Sequence, residues 1–240
     1  VVQHARHDLY RVCKLALHKL NMRTGLSVAE HAFTLMLTLA KNIIPVSNEY
    51  RTVGFAAKNH APGIEMTGKT LGLIGMGRIG KHILHMCRDG LDMHVIVYDP
   101  YISEVPEGVE KVDDLSELLR RADVVTLHCL LTDETRKLID RERLALMKPT
   151  ALLINCARGP IVDEAALIEA LENGRLAGAG LDVTDPEPVA PDSPLFKLPN
   201  VIVTPHYAPT TVESATRVSK IAAENINAVL AGQEPVGRIV

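Results

Sequence analysis

The feature that most constrains the fold of this chain is a glycine-rich stretch between two short apolar runs. Residues 71–75 form an apolar run typical of a buried strand, and the pattern Gly-Met-Gly-Arg-Ile-Gly follows at residues 75–80. The next residues have the apolar spacing of a helix. A second apolar run, residues 95–98, ends in Asp99, about twenty residues beyond the glycines. The stretch therefore predicts a strand–helix–strand unit of the dinucleotide-binding type.

Each glycine in this pattern has its own physical reason. Gly75 lets the chain turn sharply, Gly77 leaves room for a pyrophosphate at the backbone, and Gly80 lets the helix pack closely on the sheet. The free N–H groups at the start of the helix would then face the phosphates. Asp99 can accept hydrogen bonds from both ribose hydroxyls, and its charge would repel a 2′-phosphate. The pattern predicts NAD as the cofactor, and the alternative is an ordinary turn with no ligand.

The rest of the chain alternates between predicted strands and helices. Further strands are predicted at residues 109–112, 123–127, 151–154, 179–183 and 201–204, and helices at residues 115–121, 141–147, 164–172 and 211–230. This alternation predicts an α/β fold with a Rossmann-type, doubly wound parallel sheet. The binding crevice of such a sheet lies at the carboxyl ends of its strands.

Two helices are predicted before the glycine-rich unit. Residues 1–22 have the spacing of an amphipathic helix. Residues 27–44 form an almost wholly apolar helix, which Ser27 would cap and Pro45 would end. Such a helix must be buried, either in a core or against a partner chain. Residues 45–68 are predicted to be a connecting segment.

The composition argues against several classes of function. The 240 residues carry a net charge of -3 without a basic run, and only three of them are Phe or Trp, so no nucleic-acid partner is expected. No membrane span and no signal peptide is predicted. The cysteines lack metal-ligand spacing, so no metal is expected, and free thiols in a reducing cytoplasm are the simplest interpretation. They are Cys13, Cys87, Cys129 and Cys156.

Polar or charged side chains follow several of the predicted strands. They are His128, Arg158, Asp182, Glu187 and His206. Because the carboxyl ends of parallel strands open onto one crevice, we expect these side chains to face a common site. Individually, Arg158 could be a surface ion-pair residue, Glu187 a solvated loop acid and His206 a capping residue. Together they favour a catalytic site.

Longer motifs carry a resemblance to a known family. They are SVAEHA, GKTLGLIGMGRIGK, YDP, ADVVTLH with LTDET, LINCARGPIVDEAALIEAL, AGAGLDVTDPEP and LPNVIVTPH, and the match covers roughly residues 24–232. In these motifs the chain resembles the D-isomer-specific 2-hydroxyacid dehydrogenases, the group that includes D-lactate and D-3-phosphoglycerate dehydrogenases and glyoxylate/hydroxypyruvate reductases. The resemblance implies an NAD-dependent oxidoreductase that transfers a hydride between the nicotinamide and C2 of a small 2-oxo or 2-hydroxy acid.

The resemblance also implies a role for each site residue. Arg158 would bind the substrate carboxylate, His206 would be the acid/base, and Glu187 would pair with that histidine and orient it. Asp182 would lie near the nicotinamide carboxamide. The positions implied to contact the cofactor are Gly75, Gly77, Arg78, Ile79, Gly80, Asp99, His128, Cys129, Leu130, Thr135, Cys156, Ala157, Arg158, Asp182, His206 and Ala208.

The chain departs from the family pattern at a few positions. Leu130 stands where the family usually has proline, Thr184 replaces a common aromatic residue, and Pro209 falls where glycine is frequent. Glu187 argues against the sister group of formate dehydrogenases, which carry glutamine at that position.

The resemblance further implies three segments. Residues 1–22 would be a remnant of a substrate domain or a linker helix, residues 23–206 the NAD-binding domain, and residues 207–240 a C-terminal helix and tail returning towards the substrate domain. Because most of that second domain is missing, we expect a chain truncated at its N-terminus. The helix at residues 27–44 resembles the family's dimer-forming element and implies a homodimer. Two alternatives stay open, an NAD(H)-sensing corepressor-like protein and an inactive chain without its substrate domain.

Overall fold

The computed structural model of the protein describes residues 24–59 and 62–235. The helix predicted over residues 1–22 lies outside the described residues. The chain divides into two compact units. Among the described residues, the larger unit comprises residues 29–208, and the smaller one combines residues 24–28 with residues 209–235.

The larger unit is built on a seven-stranded parallel sheet. The strands are β1 (Thr70–Ile74), β2 (His94–Tyr98), β3 (Val109–Lys111), β4 (Val124–Leu127), β5 (Leu152–Asn155), β6 (Gly178–Leu181) and β7 (Val201–Val203). Their order is β3-β2-β1-β4-β5-β6-β7, and every neighbouring pair is parallel. The predicted Rossmann-type sheet is confirmed, and each strand begins and ends within two residues of its predicted bounds.

Helices lie between many of these strands in the chain, and further helices precede the first strand and follow the last one. They are α1 (Gly25–Ala40), α2 (Ile43–Val53), α3 (Arg78–Leu91), α4 (Leu115–Arg121), α5 (Arg141–Leu146), α6 (Glu164–Glu172) and α7 (Val212–Leu230). Short 3₁₀ turns lie at Gly54–Asn59, Gly159–Ile161 and Pro194–Lys197. Asp114, Asp140 and Asp163 cap α4, α5 and α6 by accepting a backbone N–H of the first turn. Each such cap stabilises its helix by about 1 kcal/mol.

The core of the larger unit lies along the central strands. β1, β4 and β5 are buried almost throughout and are mostly apolar, with Leu71, Leu73 and Ile74 as examples in β1. Such continuous burial is typical of parallel strands with both faces covered, whereas a half-exposed strand alternates. Leu118 and Leu119 of α4 are fully buried in one apolar cluster with Ile74. Burial of one such side chain contributes about 1.5–3 kcal/mol.

The first part of the described chain differs from its prediction. The single helix expected over residues 27–44 is two helices, α1 and α2, separated at Asn42, which has a left-handed backbone (φ 51°). Pro45 lies in the first turn of α2 and does not end a helix, because a first-turn N–H has no helical partner to lose. The predicted connection over residues 45–68 is therefore helical in its first half.

The predicted cap of α1 is also wrong. α1 begins at Gly25, and the Oγ of Ser27 lies 3.1 Å from the Oγ1 of Thr211 instead of capping the helix. The apolar side of α1 is buried within the larger unit. A Cβ placed on Gly180 of β6 would lie 3.0 Å from the Cβ of Leu35, so this glycine allows α1 to approach the sheet closely. The core of the chain itself accounts for the apolar character of α1.

Candidate active site

The strand order places a crevice at the carboxyl ends of β1 and β4. From β1 the chain continues to β2 and β3 on one side of the sheet, and from β4 to β5, β6 and β7 on the other side. Such a reversal of direction separates the following loops and opens a crevice between them. The predicted site residues follow the strands on both sides of this point.

The turn after β1 has the geometry that the three glycines were predicted to allow. Gly75 has a φ of 90°, and a Cβ there would lie 2.7 Å from the backbone nitrogen of Cys129. A Cβ on Gly80 would lie 2.2 Å from the carbonyl oxygen of Gly75. Gly77 differs, because a Cβ there would meet no atom within 4 Å. The fold thus requires the first and third glycines, whereas the second leaves open space at the N-terminus of α3.

Asp99, at the end of β2, is held by two backbone N–H groups. Its Oδ2 accepts a hydrogen bond from the Met76 nitrogen at 2.8 Å, and its Oδ1 accepts one from the Tyr101 nitrogen at 3.0 Å. The first bond ties the end of β2 to the glycine turn. Each carboxylate oxygen keeps a second lone pair, so the group can still accept hydrogen bonds from a ligand.

A pocket of about 450 Å³ opens beside this carboxylate. It is lined by seven of the residues predicted to contact the cofactor, namely Gly75, Gly77, Asp99, His128, Cys129, Leu130 and Thr135. Arg78 and Ile79 form the first turn of α3 next to Gly77. The pocket has the volume of a typical small-molecule site, and the open space over Gly77 continues from it.

Tyr101 and Glu134 are two of the pocket residues that the sequence reasoning missed. The hydroxyl of Tyr101 donates a hydrogen bond to the Oε2 of Glu134 at 3.0 Å, and both residues line the pocket. The neighbouring carboxylate raises the pKa of Tyr101. Tyr101 directly follows the YDP motif and Glu134 lies within LTDET, so their positions beside these motifs were the available signal.

His128, after β4, is a neutral side chain. Its Nε2 lies 2.8 Å from the Oγ1 of Thr126, and its buried Nδ1 has no hydrogen-bond partner among the described residues. Burial lowers the pKa of His128 to about 3. A histidine with this pKa is the neutral imidazole at neutral pH and cannot act as a general acid there, which fits the expectation that it contacts the cofactor while His206 is the acid/base.

The loops after β6 and β7 bring Glu187 and His206 together. The Nδ1 of His206 lies 2.6 Å from the Oε1 of Glu187, and the two side chains are 42% and 43% exposed. A carboxylate only accepts hydrogen bonds, so Nδ1 carries the hydrogen of this contact. The other ring nitrogen, Nε2, is therefore the one available for proton transfer.

Arg158 follows β5, the strand beside β6. Its side chain is exposed, and its Nη1 donates to the carbonyl oxygen of Ala157 at 2.7 Å. The turn continues into Gly159, where a Cβ would lie 1.9 Å from the carbonyl oxygen of Thr184. This close approach joins the Arg158 turn to the loop that carries Glu187. Three adjacent strands, β5, β6 and β7, thus supply the predicted catalytic residues.

Asp182, at the end of β6, is buried and engaged within the protein. Its side chain is 1% exposed, and its carboxylate accepts hydrogen bonds from the backbone nitrogens of Tyr207 and Ala208 and from the hydroxyl of Thr204. These contacts direct it towards the loop of His206. Its predicted proximity to a nicotinamide carboxamide stays a prediction.

The remaining predicted positions lie along the β5 loop. Cys156 is buried, and burial raises the pKa of its thiol. The Ala157 nitrogen donates to the Oδ1 of Asn155 at 3.0 Å, which fixes the start of the loop. A buried, protonated thiol is a poor nucleophile, so Cys156 fits a wall of the site better than a reactive group.

The described ranges contain neither a cluster of metal ligands nor a helix that could cross a membrane. Within residues 24–59 and 62–235, no group of three or more His, Cys, Asp and Glu side chains could hold a metal ion. Across the same part of the chain, none of the helices combines the length and the apolar character needed to span a bilayer.

The residues on the two sides of the crevice differ in their chemical character. Backbone groups, glycines and an acid at the end of β2 suit a nucleotide on the β1 side, whereas a guanidinium and an imidazole–carboxylate pair suit an acidic substrate and a proton transfer on the β7 side. This arrangement defines the class of dinucleotide-binding dehydrogenase domains.

Comparison with known proteins narrows this class to a family. The sequence profile described as "D-isomer specific 2-hydroxyacid dehydrogenase, NAD binding domain" matches residues 33–208. The chain therefore belongs to the D-isomer specific 2-hydroxyacid dehydrogenase family and contains its NAD-binding domain, as the motifs indicated.

Individual relatives support the same assignment. The chain is 47% identical over 213 residues to D-3-phosphoglycerate dehydrogenase of Methanocaldococcus jannaschii and 40% identical over 215 residues to glyoxylate reductase of Korarchaeum cryptofilum. These matches cover 88% and 87% of the chain, but only 40% and 64% of the respective relatives. The apo-structure of D-lactate dehydrogenase from Escherichia coli superposes with a TM-score of 0.81 at 34% identity, covering 90% of this chain and 68% of the other.

Proposed function

We propose that the protein catalyses hydride transfer between NAD and C2 of a small 2-oxo or 2-hydroxy acid. The observation that carries this proposal is the 2.6 Å contact between the His206 Nδ1 and the Glu187 Oε1. These two residues follow β7 and β6, and Arg158 follows β5, the strand next to β6. This geometry supplies an oriented acid/base beside a cation that can bind a carboxylate. The names of the relatives and the family of the NAD-binding domain support the same reaction.

Arg158 is proposed to bind and polarise the substrate. Its side chain is exposed, and a planar guanidinium matches a carboxylate through two parallel hydrogen bonds. Held in this way, the 2-oxo group of the substrate lies at a fixed position relative to the loop of His206. Arg158 also favours the negative charge that develops on the carbonyl oxygen during reduction.

His206 is proposed to move the proton. When bound, NADH supplies the hydride from C4 of its nicotinamide. The Nε2 of His206 then gives its proton to the carbonyl oxygen, or takes the hydroxyl proton in the opposite direction. Glu187 holds Nδ1 and stabilises the protonated ring, so that the proton is presented at Nε2.

The residues around the pocket fit NAD. The space over Gly77 and the N-terminus of α3 suit the pyrophosphate, and Asp99 suits the ribose hydroxyls. A 2′-phosphate would place its charge beside the carboxylates of Asp99 and Glu134. We therefore infer that the protein prefers NADH to NADPH.

The proposed activity is tested by turnover of the full-length protein. NADH oxidation is followed with pyruvate, glyoxylate and hydroxypyruvate, and compared with the variants Arg158→Ala and His206→Ala. Loss of one well-placed acid/base lowers the rate by about 10²–10⁴-fold. The variant His85→Leu, on the exposed face of α3, serves as the control and should keep the wild-type rate.

The same experiment separates the enzyme from a sensor. A wild-type protein that binds NADH but turns over none of the three acids would contradict the proposed activity and favour the NAD(H)-sensing alternative. Activity that survives in both Arg158→Ala and His206→Ala would contradict the assigned roles.

We also propose that α2 forms a contact between two copies of the chain. None of its residues is buried, although Ile43, Tyr50 and Val53 are 51–59% exposed and Phe55 of the following turn is 72% exposed. Large apolar side chains clustered in this way usually mark an interaction surface. The helix predicted to form dimers, residues 27–44, is mostly α1, whose apolar side is buried in the core, and only its last two residues belong to α2.

Light scattering after gel filtration tests the dimer. Replacing Tyr50 and Val53 together by Asp should shift the protein from dimer to monomer at micromolar concentration. Leu230→Asp puts the same charge on another exposed apolar position, 80% exposed, and should leave the dimer intact. A monomeric wild-type protein would contradict the proposal.

We further infer a cytoplasmic location. Cys87, Cys129 and Cys156 are free thiols, which is usual in a reducing compartment. Fractionation of cells that express the tagged full-length protein tests this location, and recovery with a secreted marker would contradict it.

A further inference from the structure

The catalytic histidine stands on a backbone conformation that needs support. His206 has a φ of 54°, in the left-handed region that residues with a Cβ seldom adopt. Such a conformation persists only where surrounding contacts hold it in place. The side chain of Glu187 fixes the ring but not the backbone, so the support must come from elsewhere in the fold.

Asp182 supplies most of that support. Its backbone oxygen accepts the His206 N–H at 2.8 Å, and its carboxylate accepts the N–H groups of Tyr207 at 2.7 Å and Ala208 at 2.9 Å. One residue therefore binds three consecutive backbone N–H groups of the loop. A carboxylate that is 1% exposed must itself be held by its hydrogen bonds.

The contact that completes this arrangement comes from α1. Thr204 donates its hydroxyl hydrogen to the Oδ1 of Asp182 at 2.6 Å, and its oxygen lies 3.0 Å from the Nε2 of His31. A hydroxyl has only one hydrogen, so the Thr204 oxygen must accept from His31, and Nε2 must carry a hydrogen.

His31 also contacts the site directly in two ways. Its Nε2, which lies 3.0 Å from the Thr204 oxygen, also lies 3.5 Å from the Oδ1 of Asp182. Its ring packs against that of Tyr207, with centroids 6.4 Å apart and planes tilted by 60°. Tyr207, the residue after His206, is thus held both through its backbone N–H and through its side chain.

We propose that His31 is a positioning residue for the reaction, which acts on His206 through Thr204 and Asp182. This inference rests on the proposed function, in which His206 transfers the proton. The donor at the position of Nε2 fixes the hydroxyl of Thr204, the hydroxyl fixes the carboxylate, and the carboxylate fixes the backbone of the His206 loop. His31 belongs to α1, far along the sequence from the residues that it orients.

Kinetics of the full-length protein with NADH and the best 2-oxo acid test the proposal. His31→Leu removes the donor and should lower kcat by about tenfold to a hundredfold, because a small displacement of a catalytic group has effects of this size. The KM for NADH should change much less than kcat, because the pocket beside Asp99 that is proposed for the nucleotide lies on the β1 side. His31→Gln keeps an N–H donor close to the position of Nε2 and should restore most of kcat, whereas a purely space-filling role would favour leucine.

A second pair of variants keeps the test decisive if His31→Leu does not fold. Thr204→Val removes only the hydroxyl and should reproduce the loss of kcat, and Thr204→Ser should restore it. Where His31→Leu does fold, its effect and that of Thr204→Val should not add in the double variant, since both act through one chain of hydrogen bonds. Wild-type kcat in folded Thr204→Val, or an equal loss in His31→Gln and His31→Leu, would overturn the proposal.

NMR of the histidine rings separates this inference from the proposed function. The ring signals of His206, assigned by loss in His206→Ala, should move in Thr204→Val and stay in place in Thr204→Ser and in the control His85→Leu. A wild-type protein without turnover would refute the proposed function alone, and the ring signals would then decide the positioning role. Unmoved His206 signals in Thr204→Val would refute that role whatever the activity.

Discussion

Three glycines in one strand–helix unit provide a test that separates binding of the cofactor from stability of the fold. Gly77, Gly80 and Gly90 all belong to the turn after β1 or to α3. A methyl group on Gly77 or Gly90 would meet no atom within 4 Å, whereas one on Gly80 would lie 2.2 Å from the Gly75 oxygen. Replacement of each glycine by alanine should therefore have three different outcomes.

Gly80→Ala should destabilise the protein. Its Cβ would be more than 1 Å closer to a backbone oxygen than the 3.4 Å at which ordinary contact begins, so the helix must move away from the turn. Overpacking of this kind costs about 1–3 kcal/mol, and a clash with backbone belongs at the upper end. At about 3 kcal/mol the Tm should fall by about 6–12 °C for a domain of this size.

Gly77→Ala should weaken cofactor binding without a comparable loss of stability. Its φ of -70° is accessible to alanine, and the loss of stability at a helix N-cap stays below about 1 kcal/mol. The added methyl group, however, takes the space proposed for the pyrophosphate. The Kd for NADH should rise at least about tenfold, which corresponds to about 1.4 kcal/mol.

Gly90→Ala is the matched control. The position is exposed and near the end of α3, where alanine favours the helix by up to about 1 kcal/mol. Thermal unfolding without cofactor and titration of NADH fluorescence measure both properties in all three variants. Wild-type affinity in Gly77→Ala would refute the placement of the pyrophosphate, and an equal loss of Tm in Gly80→Ala and Gly90→Ala would refute the packing argument.

Three further predictions concern single side chains. Asp99→Asn removes the charge beside the ribose site and should lower the preference for NADH over NADPH, measured as the ratio of kcat/KM values, by at least about tenfold (about 1.4 kcal/mol); an unchanged ratio would contradict the placement of Asp99. His128 has a pKa of 6.5 when unfolded and about 3 when folded, so the unfolded state binds more protons and stability is lost as pH falls below 6.5. Urea unfolding at pH 7 and pH 5 should show a loss about 2 kcal/mol larger for the wild type than for His128→Gln, and parallel losses would contradict the burial of the neutral ring. Burial raises the pKa of the Cys87 thiol to about 12 and also raises that of Cys156, so iodoacetamide at pH 8 should label both only after denaturation, as mass spectrometry can show; rapid labelling of the native protein would count against their burial.

Much of the sheet could be predicted because its signals are local. The strands of a parallel sheet covered on both faces are continuous apolar runs, and β1 and β4 have such runs in the sequence. The predicted bounds of α4 and α6 are confirmed, and in the structure Asp114 and Asp163 cap these helices within their own first turns. Signals of this kind depend on neighbours in the chain, so the sequence contains them in full.

The break between α1 and α2 could not be predicted, because distant contacts produce it. The carbonyl oxygen of Ala40 accepts the Ile64 N–H at 2.8 Å, which brings the later segment against the end of α1. Gly63 allows this approach, since a Cβ there would lie 2.8 Å from the same oxygen. The side chain of Asn42 reaches the Pro62 oxygen at 3.5 Å. Apolar periodicity continues across the break and contains no trace of these contacts.

The candidate site likewise has some features that could be predicted from the sequence and others that could not. The glycine turn and Asp99 follow from spacing alone, because the turn, the helix and the second strand are consecutive in the chain. The pairing of Glu187 with His206 was expected only from the resemblance to a family, since spacing does not show which loop acid faces which histidine. The contacts of His31 and Tyr101 were not expected at all, because they depend on how α1 and two loops pack.

The strand order explains why binding and chemistry can be altered independently. The nucleotide side of the crevice depends on β1, β2 and β4, where backbone groups and Asp99 provide most of the proposed contacts. The chemical side depends on β5, β6 and β7, where Asp182 fixes the loop of His206. No direct hydrogen bond links Asp99 to Asp182 in the described residues, so a change at Gly77 should alter affinity for NADH and a change at Thr204 should alter kcat. If either substitution altered both quantities equally, the two sides would be coupled through the sheet itself, and the separate roles assigned to them would have to be abandoned.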